Sequence, residues 1–466
     1  MAVIGRTFRP AIDTKRCNTC SICAQQCPAY ADEGFRQADK SVRGKVFRSF
    51  DSQPPPRVTP IEAVTPPCQA GCPIGQDVRG YLKAVAEKRH ADAVALIRQT
   101  NPLPLVCGTI CPHPCESGCL RGAIEEPVAI RAVKRFAALF EKRNQLIPRV
   151  PDPIPGKRVA IIGAGPAGIA AAYTLARRGV TPVIFEKTPR PGGMLAWAIP
   201  DFRLPRHILD YEMEVLASLG ITFRLSRALG TDFTIQTLED EGFDAVVLAI
   251  GTTQGQKIPL DGGKAFENHL DCLAYLFTLH KGQAPDLGDA VAVVGGGNAA
   301  IDTARVLKRL GVPEVTVVYR RPRAQMPADR EEVQAAEREG VRFFFSALPT
   351  RLSRGNGRWH LGGFQTRSAE RGAPVEVLKN TPFDLPVTGV ISAIRQVPET
   401  HWADTEDITV NPDGTLRVDD AQRTSREGVY AAGDAVTGPT TVVEAMASGA
   451  AAARAILDDI LGEQTT

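Results

Sequence analysis

Ten of the eleven cysteines stand within the first 119 residues, at positions 17, 20, 23, 27, 68, 72, 107, 111, 115 and 119. Thiols gathered this way can ligate a soft metal or form disulfides. The opening MAVIGRTFRPAIDTK has no apolar h-region of a secretory signal. The longest apolar stretch, around FDAVVLAIG, falls far short of the roughly 20 residues that span a bilayer. A cytoplasmic protein without a membrane span is therefore expected, and that compartment keeps thiols reduced. The cysteines read as ligands. Cys272, alone in DCLAYLFTLH, reads instead as a buried apolar thiol.

Residues 17–27 are CNTCSICAQQC, followed by Pro28. The spacing C-x2-C-x2-C-x3-C-P is that of one half of a bacterial two-cluster ferredoxin, in which the fourth cysteine serves the other cluster. No second run of this form follows. Cys17, Cys20 and Cys23 are expected to share a [4Fe-4S] cluster, with Cys27, or a remote thiol such as Cys68 or Cys119, as the fourth ligand. An all-cysteine cluster takes four thiolates, so ten cysteines supply two clusters and not three. Zinc is the alternative occupant of any C-x-x-C pair. His113, inside CPHPC, reads as a solvated loop residue.

Two further segments could hold dinucleotides. Val159-Ala-Ile-Ile is a buried strand, Gly163-Ala-Gly165-Pro166-Ala167-Gly168 is G-x-G-x-x-G, IAAAYTLARRG is a helix, and Glu186 ends the next strand, VTPVIFE. Glycines give a tight turn and close pyrophosphate approach, the helix N-terminus attracts the anion, and the carboxylate binds ribose hydroxyls. Gly433 and Asp434 in YAAGDAV suit the ribityl and phosphate part of FAD, and the helix after Thr441 and Val442 can face a flavin ring with its positive end. PRPGGMLAWAIPDFRLP, with Gly193, Met194 and Arg203, would lie along the flavin. No C-x-x-C dithiol adjoins these segments, so electrons must leave the flavin another way. Lys187 and Gly251 complete the expected cofactor-binding set on this side.

The arrangement recurs at Val291-Ala-Val-Val, Gly295-Gly-Gly297-Asn298-Ala299-Ala300 and IDTARVLKRLG. At the end of the next strand Arg320 and Arg321 stand where an NAD-preferring fold places an acid. Arginine there can pair with a 2′-phosphate, which favours NADPH over NADH.

The elements that must carry these residues fall into an order. A ferredoxin-like cysteine arm covers 1–57 and a helical iron–sulfur domain 58–150, with Pro-rich linker segments SQPPPRVTP (52–60) and TPP (65–67) about their junction and the ligand loop CGTICPHPCESGC at 107–119. After IPRVPDPIPG the pattern becomes strand–turn–helix alternation. It is read as an α/β protein with two nested Rossmann-like domains: FAD-binding at 151–280 and 396–466, with NAD(P)-binding at 281–395 inserted. A hydrophobic content of 43% and a net charge of +3 over 466 residues describe a globular protein with no electrostatic case for nucleic acid.

Taken together, CQAGCPIGQDV, NPLPLVCGTICPHPCESGC, VAIIGAGPAGIAAA, PGGMLAWAIPDFRLP, VVGGGNAAIDTARVLKRLG, VYRRPRAQMPA and YAAGDAVTGPTTVVEAMASG resemble the glutamate synthase small-subunit family. That family is shared with the N-terminal half of dihydropyrimidine dehydrogenase and with NADPH:ferredoxin oxidoreductases. The resemblance covers roughly 58–466. It implies FAD at the first site, NAD(P)H at the second, two [4Fe-4S] clusters, and electron transfer to or from a partner. It also implies that Cys72, Cys111 and Cys115 hold a second cluster, with Cys119, Cys68, Cys107 or Cys27 as the fourth ligand. Three departures stand out. The family's C-x-x-C before CQAGC is replaced by VTPIEAVTPP; the helix after the fourth cysteine offers Lys134, a poor ligand; and Arg395 takes the place of a usual glycine. No catalytic acid or base is expected, because placement of two cofactor rings carries the chemistry. The reading is an NAD(P)H:acceptor electron-transfer subunit of a hetero-oligomeric complex. Its partner would be a ferredoxin, a polyferredoxin or a 2-oxoacid, aldehyde or acyl-CoA oxidoreductase subunit. The alternative is the small subunit of NADPH-dependent glutamate synthase.

Overall fold

Val159-Ala-Ile-Ile and Val291-Ala-Val-Val are runs of small and β-branched residues, which suit strands covered on both faces. Each forms the middle of a five-stranded parallel sheet in the computed structural model. The structure describes residues 65–370 and 372–462, with four short strands before them: Ala2–Ile4, Thr7–Arg9, Lys45–Phe47 and Thr59–Ile61. Cys17, Cys20, Cys23 and Cys27 lie outside the described residues.

The chain divides into two compact units, one of residues 1–78 and 113–128, the other of 79–112 and 129–466. In the first, helices α1 (Pro67–Ala70) and α4 (Pro114–Ser117) are single turns begun by proline, which lacks only an N–H that would go unpaired there anyway. In the second, α2 (His90–Arg98), α3 (Pro104–Ile110) and α5 (Ile130–Asn144) precede the sheets. Helix α3 meets α5 closely enough that a methyl at Gly108 would lie 2.7 Å from Arg135 Cα.

The first sheet begins with β1 (Arg158–Ile162), helix α6 (Pro166–Ala176), β2 (Thr181–Glu186), helix α7 (Arg206–Ser218), β3 (Thr222–Leu225) and β4 (Ala245–Leu248). The chain then builds the second sheet from β5 (His269–Asp271), β6 (Ala290–Val294), β7 (Glu314–Tyr319), β8 (Arg342–Phe345) and β9 (Gly389–Ser392), in the order β5-β9-β6-β7-β8. Helices α8 (Asn298–Arg309) and α9 (Arg330–Arg338) belong to it. An antiparallel three-stranded sheet over 347–387 precedes β9. The chain returns with β10 (Val429–Ala431), which pairs with β4 and gives the order β10-β4-β1-β2-β3, and ends in α10 (Val442–Leu461). The outgoing and returning crossovers pair with each other: Gln254–Gly255 lies antiparallel to Gln396–Val397. Ile161, Ile184, Val293 and Ile391 are fully buried, and each such side chain contributes about 1.5–3 kcal/mol.

Candidate functional site

The turn after β1 needs glycine for measurable reasons. Gly163 has φ 112°, and a methyl there would lie 2.3 Å from Ala249 O. A methyl at Gly168 would lie 2.0 Å from Gly163 O. Gly165 caps α6 and Pro166 opens it, so the first N–H groups of that helix face the turn, where an anion would sit. Glu186, 6% exposed, ends β2 beside this turn. Its Oε2 accepts from Ala164 N (2.8 Å), and its Oε1 from Thr188 N (2.9 Å) and Thr188 Oγ1 (2.8 Å). The carboxylate is therefore held in place before any ribose reaches it.

Two distant segments close on the same turn. A methyl at Gly193 (φ 53°) would lie 2.8 Å from Gly165 Cα, and Gly192 N donates to Ala164 O. A methyl at Gly433 (φ 71°) would lie 2.6 Å from Ala167 Cβ, and one at Gly449 in α10 would lie 1.9 Å from Ala167 O. Gly433 N donates to Ser448 Oγ, a contact with no sequence signal. Asp434 Oδ1 accepts from Thr440 N and Thr440 Oγ1; burial pushes its carboxyl up to about 6. Thr441 and Glu444 form a capping box ahead of Val442, the first residue of α10. Gly251 (φ 64°) ends the β4 segment with open space where a side chain would be. A glycine turn closed this tightly, with a helix N-terminus and a buried carboxylate beside it, fits a dinucleotide such as FAD.

The second turn repeats the geometry. A methyl at Gly295 (φ 154°) would lie 2.3 Å from Ala393 O, whereas Gly297, which caps α8, faces open space. The Tyr319 ring lies over Gly296, where a methyl would lie 2.4 Å from its Cε2. Asn298 Oδ1 accepts from Asp329 N at 2.8 Å, so the RRPRAQMPA loop folds back onto the turn; Ala299 packs on the sheet's core. Arg320 is exposed. Arg321 donates Nη2 to Ala373 O and keeps a buried Nε with no acceptor among the described residues. An orphan guanidinium donor at this point suits a 2′-phosphate.

Two expected cofactor ligands are engaged elsewhere. Lys187 Nζ donates to Glu399 Oε2 (2.8 Å) and Thr253 Oγ1 (3.2 Å), beside the paired crossovers. Arg203 Nη1 donates to Asp302 Oδ1 (2.9 Å) and Oδ2 (2.7 Å) on α8. Met194 packs, with Ala198 and Phe202, against the core of the second sheet. Arg395 donates to Asp413 O.

The cysteines of the first unit sit on the two single-turn helices. Cys68 lies in α1 and Cys72 just after it, at the spacing C-x3-C, and Cys115 and Cys119 stand likewise in and just after α4. Methyls at Gly71 and Gly118 would lie 3.1 Å and 3.3 Å from Pro67 O, so glycine allows the two turns to meet. Cys72 and Cys115 are buried, and Cys68 and Cys119 are half-buried. Among the described residues no three His, Cys, Asp or Glu side chains converge on one point as a single metal ion requires. A cubane takes four thiolates, one on each iron, and Cys68, Cys72, Cys115 and Cys119 bring four thiols to these two adjoining turns. Cys111, in the other unit, ends α3; its carbonyl accepts from Arg131 Nη1. Cys107 is 1% exposed, donates to Asn101 Oδ1 and is pushed up to about 12 by burial. Cys272 is equally buried, in the core beneath the second sheet.

Comparison with known proteins agrees with this geometry. Residues 157–449 match the pyridine nucleotide-disulphide oxidoreductase family, and residues 61–146 match dihydropyrimidine dehydrogenase domain II, 4Fe-4S cluster. The chain is 40% identical over 436 residues to the NADP(+)-dependent formate dehydrogenase subunit beta of Moorella thermoacetica, covering 86% of this chain and 61% of that one. It is 36% identical over 437 residues to the NADPH-Fe(3+) oxidoreductase subunit beta of Geobacter sulfurreducens, covering 85% and 64%. The chain thus spans less than two thirds of these two relatives. With the glutamate synthase [NADPH] small chain of Escherichia coli it shares 33% identity over 423 residues, covering 84% and 88%. FprA from Mycobacterium tuberculosis superposes with a TM-score of 0.57 at 17% identity, over 66% of this chain and 85% of that one, which shows the shared fold. No helix among the described residues is long and apolar enough to cross a membrane. The chain belongs to the pyridine nucleotide-disulphide oxidoreductase family, in the group that joins this fold to a dihydropyrimidine dehydrogenase-type 4Fe-4S domain and includes the glutamate synthase small chain.

Proposed function

We propose that this chain is an NADPH-linked electron-transfer subunit, working in the cytoplasm with a protein partner. The carrying observation is that both glycine turns lie in one unit while 187–205, the segment beside the first turn, contains no cysteine. A disulphide relay at the flavin therefore has no thiols to use. Bound FAD would supply a hydride acceptor for NADPH, and [4Fe-4S] clusters would supply one-electron carriers.

The protein's own part is to hold and orient. Gly163, Gly165 and the start of α6 would take the first pyrophosphate, and Glu186 the ribose hydroxyls. Gly295, Gly297 and the start of α8 would take the second pyrophosphate, and Arg321 the 2′-phosphate. Cys68, Cys72, Cys115 and Cys119 would supply thiolates to one cluster, and the run at Cys17, Cys20, Cys23 and Cys27 would supply a second set. The names of the relatives, which are subunits of formate dehydrogenase and of an iron(III) oxidoreductase, support a complex in which another subunit carries the terminal chemistry. The long alignment with the glutamate synthase small chain supports the second reading. Anaerobic reduction of the holoprotein by NADPH and by NADH, followed by delivery to ferredoxin, tests the proposal. Cys20→Ser should spare flavin bleaching and block delivery; equal delivery would remove the arm from the electron path.

A further inference from the structure

The segment from Gly192 to Arg206 touches both nucleotide folds. Its first residues lie on the first glycine turn, through Gly192 N to Ala164 O and the close approach of Gly193 to Gly165. Its later residues lie on the second fold. The Phe202 ring sits beneath the guanidinium groups of Arg305 (4.5 Å) and Arg309 (4.0 Å) on α8. Arg203, 10% exposed, sets its Nη1 against both oxygens of Asp302, 6% exposed, and its Nε lies 3.3 Å from Glu332 of α9. Glu332 in turn pairs with Arg305, which Glu339 holds from the other side at 2.7 Å.

A buried ion pair is a costly way to join two surfaces, because desolvation offsets most of its attraction, and apolar residues would pack as well. What a guanidinium held through Nη1 by Asp302 and through Nε by Glu332 adds is a fixed direction. Here it fixes the segment that lies on the first turn against α8, the helix whose N-terminus forms the second turn. Besides this contact, Met194 and Ala198 pack against the core of the second sheet, Arg206 Nη2 meets the His280 ring, and the crossovers Gln254–Gly255 and Gln396–Val397 form a short antiparallel pair.

We propose that the Arg203–Asp302 pair is a positioning latch that sets how closely a pyridine nucleotide on α8 approaches a flavin on the first turn. The latch rests on the NADPH-to-flavin reading above. Both members are positioning residues: they act through the loop and the helix and touch neither ring.

The holoprotein is compared with Arg203→Gln, Arg203→Lys, Asp302→Asn and the double variant Arg203→Gln/Asp302→Asn. Flavin content, NADP+ affinity, the rate of anaerobic flavin bleaching by NADPH, and the long-wavelength charge-transfer absorbance of the reduced protein with NADP+ are measured. Wild-type bleaching by NADPH comes first; its absence would sink the electron-transfer reading itself. Given wild-type bleaching, Arg203→Gln and Asp302→Asn should each slow it by roughly 10-fold or more and weaken the charge-transfer band. Flavin content should hold and NADP+ affinity stay within about 3-fold. Arg203→Lys should recover part of the rate, and the double variant should be no slower than the worse single one. Bleaching within 2-fold of wild type in both single variants would overturn the latch. So would a loss that follows flavin content or nucleotide affinity alone. If Asp302→Asn does not fold, Arg203→Gln and Arg203→Lys decide.

Discussion

Arg98 Nη2 donates to Glu212 Oε2 at 2.9 Å across 114 residues of sequence, and its Nε and second Nη2 contact reach Glu141 at 2.9 and 2.8 Å. One guanidinium thus ties α2 to α5 and to α7 of the first nucleotide fold. Glu212 Oε1 also accepts from Leu105 N at 2.6 Å, and Tyr173 Oη donates to Arg98 O. All three charged groups are at most 3% exposed, and burial raises the Glu212 carboxyl above its ordinary range. Arg98→Met would leave two buried carboxylates without their cation. The expected loss is about 3–5 kcal/mol, read as a lower midpoint in urea unfolding of the holoprotein. Midpoints within experimental error of each other would show that the triad adds nothing to stability.

Gly163→Val should produce a colourless protein. A left-handed φ and a backbone oxygen 2.3 Å from the new Cβ leave the turn no room to keep its shape. Flavin released by acid from the purified variant should fall below about a tenth of wild type. A yellow variant with normal flavin would place the flavin elsewhere.

Pyridine preference should rest on the arginines after β7. Arg320→Ser/Arg321→Gln should lower kcat/KM for NADPH by roughly 10–100-fold, about 1.4–2.8 kcal/mol, and leave the value for NADH nearly unchanged. Equal losses with both nucleotides would mean that these residues support the fold and do not read the 2′-phosphate.

Stability of the flavin-free protein should depend on pH through Asp434. Burial raises its folded pKa from 3.8 to about 6, with no cation beside it to oppose the shift; Thr440 offers the only opposing hydrogen bonds among its causes. A raised folded value means that the neutral acid is favoured in the fold. Its contribution is best below pH 4, is lost as pH rises toward 6, and is flat above. The loss amounts to about 1–3 kcal/mol, the lower end reflecting partial exposure. Asp434→Asn should flatten this part of the profile between about pH 4 and 6. A profile that keeps its slope would assign the titration to another group.

Much of this architecture could be read from one sequence where the constraint is local. Strand, glycine turn, helix and the charged residue that ends the next strand follow one another closely in the chain, so Gly163 to Glu186 and Gly295 to Arg321 mark two parallel-sheet folds. The α/β class and the nested order follow from that pattern. Arg203 shows where local reading stops. PDFRLP places an arginine near a flavin by analogy, but its partner Asp302 is 99 residues away on an ordinary amphipathic helix, and nothing in either segment marks the pair. Lys187 and Glu399 are separated by 212 residues for the same reason. Ser448 beneath Gly433, and Glu141 and Glu212 around Arg98, are likewise products of packing. The cysteines divide similarly: the buried state of Cys272 follows from its apolar neighbours, whereas nothing near Cys107 in sequence marks the contact of its thiol with Asn101.

The most direct measurement is an anaerobic titration of the purified holoprotein with NADPH, followed by absorbance at the flavin band, by EPR at low temperature and by iron analysis. The account predicts that NADPH bleaches one flavin per chain, that signals of reduced [4Fe-4S] clusters then appear, and that iron approaches about eight atoms per chain. A bound flavin that NADPH leaves oxidised, or bleaching with no cluster signal and about four irons or fewer, would contradict an electron path running from nicotinamide through flavin to two clusters.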